Sequence, residues 1–160
     1  METIKIQIEM ENGGIISAEL YPETAPVTVE NFVKLIEDNF FDGLIFHRVI
    51  NGFMIQGGGY DADGNHKDAD SIKGEFASNG VENNLKHSRG VLSMARTMFP
   101  NSASSQFFIM HEDAPHLDGQ YAAFGMVTDG MDVVDEIAET ATDMQDKPIE
   151  DQIIKTIRRI

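Results

Sequence analysis

Phe46-His47-Arg48-Val49-Ile50-Asn51-Gly52-Phe53-Met54-Ile55-Gln56-Gly57-Gly58-Gly59 is the most informative run of the chain. Two apolar runs, Phe46 to Ile50 and Phe53 to Gln56, flank an Asn-Gly pair, the strongest short-range signal for a hairpin or tight turn. Strand alternation puts Arg48 on the face of Phe46 and Ile50, and Met54 on the face of Gln56. Phe53 falls on the opposite face unless the chain bends near Gly52. An unpaired buried charge is costly, so Arg48 must be paired, lie on a wet face, or edge a cleft. From this stretch alone the solvated strand arginine and the cleft arginine both stay open. The surrounding Phe, Met and Gln, and three glycines that admit another chain to the backbone, favour the cleft.

Working outward, Ile4, Ile6, Ile8 and Met10 alternate with polar residues as a half-buried strand. Asn12-Gly13 turns the chain, and Ile16, Ala18 and Leu20 complete a hairpin. Pro26 suits a first helical turn, and Val29, Phe32, Val33 and Ile36 mark the buried stripe of a helix running to about Asp38. Beyond the central stretch, Tyr60 to Ser71 is an acidic loop. Its Asp61-x-Asp63-Gly64-Asn65 lacks the offsets of a calcium loop and reads as solvated. Ile72 to Phe76, Gly90 to Ala95, Gln106 to Met110, Tyr121 to Val127 and Ile153 to Ile157 read as short strands. Arg96 to Ser105 is a polar loop. Met131 to Thr140 is a second helix, with Val133, Val134, Ile137 and Ala138 inward. Roughly eight short strands without βα alternation predict a mainly β fold. The expectation is a closed eight-stranded antiparallel barrel capped by two α-helices, a single domain over residues 1–160.

Composition narrows the function. At 41% hydrophobic and 24% charged, the 160 residues have an ordinary globular balance and enough length for a core. A net charge of −15 disfavours binding to nucleic acid or anionic membrane, which need cationic surface. The acidity reads as a solubility feature, with adaptation to a salty interior as the alternative. The absence of cysteine removes disulfides and thiolate catalysis. No signal-peptide pattern or membrane-length apolar run is visible, so a cytoplasmic location is expected. No Gly-x-Ser-x-Gly elbow, P-loop, dinucleotide fingerprint or His-Glu-x-x-His helix occurs. His66 and His87 lie in polar contexts and read as surface residues. With neither metal nor nucleophile nor cofactor expected, an enzyme here would have to bind a distorted conformation.

Three separated segments carry a resemblance: Phe46-His47-Arg48-Val49-Ile50 through Phe53-Met54-Ile55-Gln56-Gly57-Gly58, Ser105-Gln106-Phe107-Phe108-Ile109, and Leu117-Asp118-Gly119-Gln120-Tyr121-Ala122-Ala123-Phe124-Gly125. With Gly90-Val91-Leu92-Ser93-Met94-Ala95 and Ala25-Pro26-x-Thr28-x-x-Asn31-Phe32, they closely resemble the cyclophilin family of peptidyl-prolyl isomerases over almost the whole chain. The length looks like that of a prokaryotic cytoplasmic member. The resemblance implies that Arg48 is the catalytic residue. It implies that Phe53, Met54, Phe108 and Leu117 wall a proline pocket, that Gln56 holds the substrate backbone, and that Ala95 and Gln106 lie along the groove.

Three positions and one loop depart from the family pattern. Arg96 stands where asparagine is common, and His116 where drug-sensitive members carry tryptophan, which implies weak cyclosporin binding. Tyr121 replaces a histidine on the pocket rim. The Tyr60–Ser71 loop is acidic rather than glycine-rich, which suggests a preference for cationic peptides. Expected partners are proline-containing peptides and unfolded or nascent protein chains, not nucleic acid or membrane, and the expected state is a monomer. The rival is a non-catalytic proline-peptide binding module or holdase, which keeps the pocket but needs no arginine. A ligand-binding barrel would need an open interior.

Overall fold

The computed structural model describes residues 2–160. Its strands are β1 (Ile4–Met10), β2 (Ile15–Leu20), β3 (Leu44–Ile50), β4 (Met54–Asp61), β5 (Val91–Met94), β6 (Phe107–Met110), β7 (Ala123–Asp129) and β8 (Ile154–Arg159). They form one antiparallel sheet in the order β3-β4-β6-β5-β7-β2-β1-β8. Its two edges meet: Gly43 N–H donates to Ile154 O at 2.9 Å and Phe46 N–H to Gln152 O at 3.0 Å, with a bridge between Ile45 and Ile153. The barrel is nearly closed, so almost no strand edge is left unpaired.

Inward residues fill the barrel. Ile6, Ile8, Ile16, Leu20, Phe46, Phe107 and Phe124 are fully buried. Helix α1 (Pro26–Glu37) adds Phe32, whose ring lies 5.0 Å from Phe41, 5.2 Å from Phe107 and 5.0 Å from Phe124. Such a packed interior is the opposite of a lipocalin-like cavity. The buried stripe of α1 is Val29, Phe32, Leu35 and Ile36, with Val33 at its margin. In α2 (Met131–Ala138) it is Val134, Ile137 and Ala138. Val133 is half-buried at the margin of that core, beside Gly14. No helix among the described residues is long and apolar enough to cross a membrane.

Several local expectations change. The stretch Ile72 to Phe76 is not a strand; only Ile72 makes a bridge, to Ala103. Its polar groups are engaged elsewhere. Gly74 N–H donates to the Asn101 side chain at 3.1 Å, and the buried Glu75 carboxylate reaches the start of α1. There Glu75 accepts from Thr28 N–H at 2.6 Å, Thr28 hydroxyl at 2.8 Å and Val27 N–H at 3.2 Å. Those are N–H groups that a helix leaves unpaired, and Ala25 has no side chain to cap them. Strand β4 runs on to Asp61, past the start of the expected acidic loop. Strand β7 begins at Ala123 rather than Tyr121. Asp61 closes the loop by accepting from the backbone of Asp63 at 3.0 Å and Asn65 at 2.9 Å.

The decisive stretch departs from strict alternation at two places. Phe46 pairs with Gly57 and Arg48 with Gln56, so β3 spends one extra residue at a β-bulge. Phe46 and Val49 therefore both enter the core, and Arg48 shares a face with Ile50 but not with Phe46. The turn Ile50-Asn51-Gly52-Phe53 is closed by Phe53 N–H to Ile50 O at 3.0 Å, with Gly52 at φ +81°. That positive φ is natural for glycine and costly for other residues. The bend puts Phe53 on the outer face with Met54 rather than opposite it.

Candidate active site

Nine side chains line a pocket of about 160 Å³ on the outer face of the sheet: Arg48, Phe53, Met54, Gln56, Ala95, Arg96, Phe108, Leu117 and Tyr121. It is smaller than the ~300–1,000 Å³ of drug-sized ligand sites, a scale that suits one small ring. Four elements build it. The bulged β3 presents Arg48, and β4 presents Met54 and Gln56 on one face. Phe108 comes from β6, paired opposite Gln56. Leu117 ends a short helical turn over Pro115–Leu117. Met54, Phe108 and Leu117 belong to an apolar cluster with Val91, Met110, Ala114 and Ala123, separate from the barrel core.

The polar side is a chain of three residues. Arg48 Nη1 donates to Gln56 Oε1 at 3.4 Å, and Gln56 Nε2 donates to Gln106 Oε1 at 3.0 Å. Gln106 fits because Gly59 has no side chain: a Cβ there would sit 2.5 Å from it. Arg48 is exposed, held by an amide rather than a carboxylate, so its charge is free to meet a ligand. Gln106 stands behind Gln56 rather than in the pocket wall. His116 also stands outside the wall, stacked on Phe53 with ring centroids 5.9 Å apart. Tyr121 meets Phe108 edge-on at 5.8 Å. The Arg96 guanidinium lies 4.7 Å from both the Phe76 and Tyr121 rings and donates to Gln120 O at 2.7 Å. Arg96 thus braces the rim through its own contacts.

His87 is not a surface residue. It is 2% exposed and stacks on Phe108 at 6.0 Å, behind the pocket wall. Its Nδ1 lies 3.1 Å from Asp118 Oδ1 and its Nε2 2.8 Å from the fully buried Ser93 hydroxyl. A carboxylate only accepts, so Nδ1 carries the proton and Nε2 accepts from Ser93. Burial pushes the His87 pKa below its ordinary value, although Asp118 pulls the other way. The order Ser-His-Asp resembles a hydrolytic triad, but a hydroxyl with no exposure cannot reach a substrate. Nothing in the sequence near His87, flanked by Lys86 and Ser88, signals this burial. Its partners lie 6 and 31 residues away.

His47, beside Arg48, is held neutral. Burial first, then Arg48, His66 and Lys147, lower its pKa to about 4. Among the described residues no group of three or more His, Cys, Asp or Glu could hold a metal ion. The assembled groups are therefore a cation beside an apolar pocket, with the Gln56 amide at its edge and Gln106 behind it.

The model of the family described as cyclophilin type peptidyl-prolyl cis-trans isomerase/CLD matches residues 5–159. Over 142 residues the chain is 49% identical to a peptidyl-prolyl cis-trans isomerase of Acinetobacter baylyi, covering 84% of this chain and 73% of that protein. It is 42% identical to peptidyl-prolyl cis-trans isomerase B of Escherichia coli K12, covering 91% and 94% of the two chains. A crystal structure of a Cryptosporidium parvum cyclophilin-type isomerase, determined in the presence of the dipeptide Ala-Pro, superposes with a TM-score of 0.83. That pair is 31% identical and covers 98% of each chain.

Proposed function

The chain belongs to the cyclophilin-type peptidyl-prolyl cis-trans isomerases, and on that footing we propose that Arg48 carries catalysis while Phe53, Met54, Phe108 and Leu117 hold the proline ring. The protein is a peptidyl-prolyl isomerase. The reaction needs neither proton transfer nor covalent chemistry. Amide resonance sets a barrier of about 18–20 kcal/mol to rotation about the C–N bond. At X-Pro bonds the two isomers lie within about 1 kcal/mol of each other, yet they exchange over tens of seconds or longer. Twisting the bond breaks the resonance and localises a lone pair on the proline nitrogen. A guanidinium at that nitrogen stabilises the twisted state more than either planar one, which is what accelerates a reaction.

The observation that carries this reading is the position of the Arg48 guanidinium. It donates to Gln56 at 3.4 Å, at the edge of the apolar pocket, and among the described residues it pairs with no carboxylate. A bound chain would cover it and lower the local dielectric, strengthening its pull on the nitrogen. Arginine suits the role because it stays charged and presents a rigid fork of donors. The pocket anchors the ring, Gln56 holds the backbone with Gln106 bracing its amide from behind, and the preceding carbonyl swings.

The substrates proposed are proline-containing peptides and unfolded or nascent chains, handled by a monomer in the cytoplasm. Cyclosporin is expected to bind weakly, because His116 stacks on Phe53 where an indole would offer more surface. A cyclosporin titration giving nanomolar affinity would contradict this. The test of the enzyme reading is NMR exchange on an Ala-Pro peptide. Wild-type protein must speed interconversion of the two isomers; binding without faster exchange would leave only a holdase.

A further inference from the structure

Met98 and Phe99 are 93% and 75% exposed, at the tip of the loop that follows pocket residues Ala95 and Arg96. Single exposed apolar residues are ordinary, but two adjacent ones on a braced tip are a different feature. The loop is tied at both legs. On one, Ala95 N–H donates to Gln106 O at 3.0 Å and Arg96 holds Gln120 O. On the other, Ala103 bridges Ile72, and Asn101 Oδ1 accepts from Gly74 N–H at 3.1 Å and Asn79 Nδ2 at 2.9 Å. Across the tip, Thr97 N–H and hydroxyl both reach Ser102 Oγ, which donates to Phe99 O at 2.7 Å. The tip is thus ordered in advance, and binding there costs little further entropy.

We propose that Met98 and Phe99 form a docking point for apolar side chains of an unfolded client whose proline occupies the neighbouring pocket, an inference that rests on the pocket's assignment to proline. The tip follows the pocket residues Ala95 and Arg96 directly along the chain. Phe99 lies three residues beyond Arg96, at most about 11 Å along the chain, a distance an extended client covers in about three residues. Methionine adapts to irregular partners and phenylalanine supplies area at low entropic cost, which suits varied client sequences. An apolar contact of this kind holds at high ionic strength, where attraction or repulsion by the net charge of −15 is screened. Short peptides end before they reach it; unfolded proteins do not.

The test compares wild type, the double variant Met98→Ser/Phe99→Ser, and Ile160→Ser as a control at another exposed apolar site. Each is assayed on a short Ala-Pro peptide and on an unfolded protein whose refolding is limited by prolyl isomerisation, at low and high salt. For the double variant, kcat/KM on the short peptide stays within about twofold. On the protein it falls about tenfold, equivalent to about 1.4 kcal/mol, chiefly through KM and at both salt concentrations. Equal loss on both substrates, no loss on either, or the same loss in Ile160→Ser overturns the proposal. So does self-association of the wild type that the double variant abolishes, since the patch would then belong to a second copy of the chain. Failure of the wild type on the short peptide would strike the pocket assignment instead.

Discussion

His87→Phe tests how the pocket wall is held. The substitution keeps a ring of similar size against Phe108, so the stacking at 6.0 Å survives while both ring nitrogens disappear. Ser93, fully buried, then has a hydroxyl without its 2.8 Å partner. A stranded buried polar group costs about 1–3 kcal/mol. Asp118 loses the 3.1 Å bond from Nδ1 but keeps the 2.6 Å bond from the His87 backbone N–H. Its side chain is 22% exposed, so water recovers part of that loss, leaving about 1 kcal/mol. The expected sum is about 2–4 kcal/mol of lost stability, read as a lower urea midpoint at unchanged slope. Adding Ser93→Ala removes the stranded hydroxyl. The double variant should therefore be more stable than the sum of the two single losses, with a coupling of about 1–2 kcal/mol. Loss of less than about 0.5 kcal/mol in His87→Phe, or strict additivity in the double variant, would refute the hydrogen-bonded account.

Two further outcomes follow from the same contacts. Glu75→Ala strands the Val27 and Thr28 N–H groups at the start of α1 and should cost about 2–4 kcal/mol; a urea midpoint equal to wild type would contradict the cap. His47 stays neutral in the fold down to about pH 4, whereas the unfolded chain takes the proton near its ordinary value of about 6.5, so the unfolded state binds more protons between the two. Its stabilisation is whole above about pH 6.5 and is lost as pH falls toward 4, up to about 3 kcal/mol before screening at its partly exposed ring. His47→Gln should flatten this part of the stability–pH curve, and an unchanged curve would count against burial as the cause.

The legible parts of the sequence were those where one periodicity ran without interruption. Ile4 to Met10 and Ile16 to Leu20 alternate cleanly, and both strands stand where alternation puts them. In Ile72 to Phe76 the local preference is outweighed by distant partners. Asn101 takes the Gly74 N–H and α1 takes the Glu75 carboxylate, neither visible in the five residues themselves. The β3 bulge did leave a trace: Phe46 and Val49, three apart, cannot both be inward on a regular strand. That Arg48, Gln56 and Phe108, all on strands, line one pocket was legible through the family resemblance of their segments. His87 was not, because its burial depends on Ser93 and Asp118 arriving from other segments.

Arg48→Gln, measured for both affinity and turnover, separates an arginine that acts on the twisted amide from one that only binds substrate. Glutamine keeps a polar side chain at the pocket edge but removes the charge. If Arg48 acts on the twisted amide alone, the Kd for an Ala-Pro peptide stays within about threefold. Over the same comparison, kcat from isomer exchange at saturation falls about 10²–10³-fold, the scale for removing one preorganised donor at developing charge. A variant that keeps wild-type kcat, or loses turnover only in proportion to affinity, would contradict it.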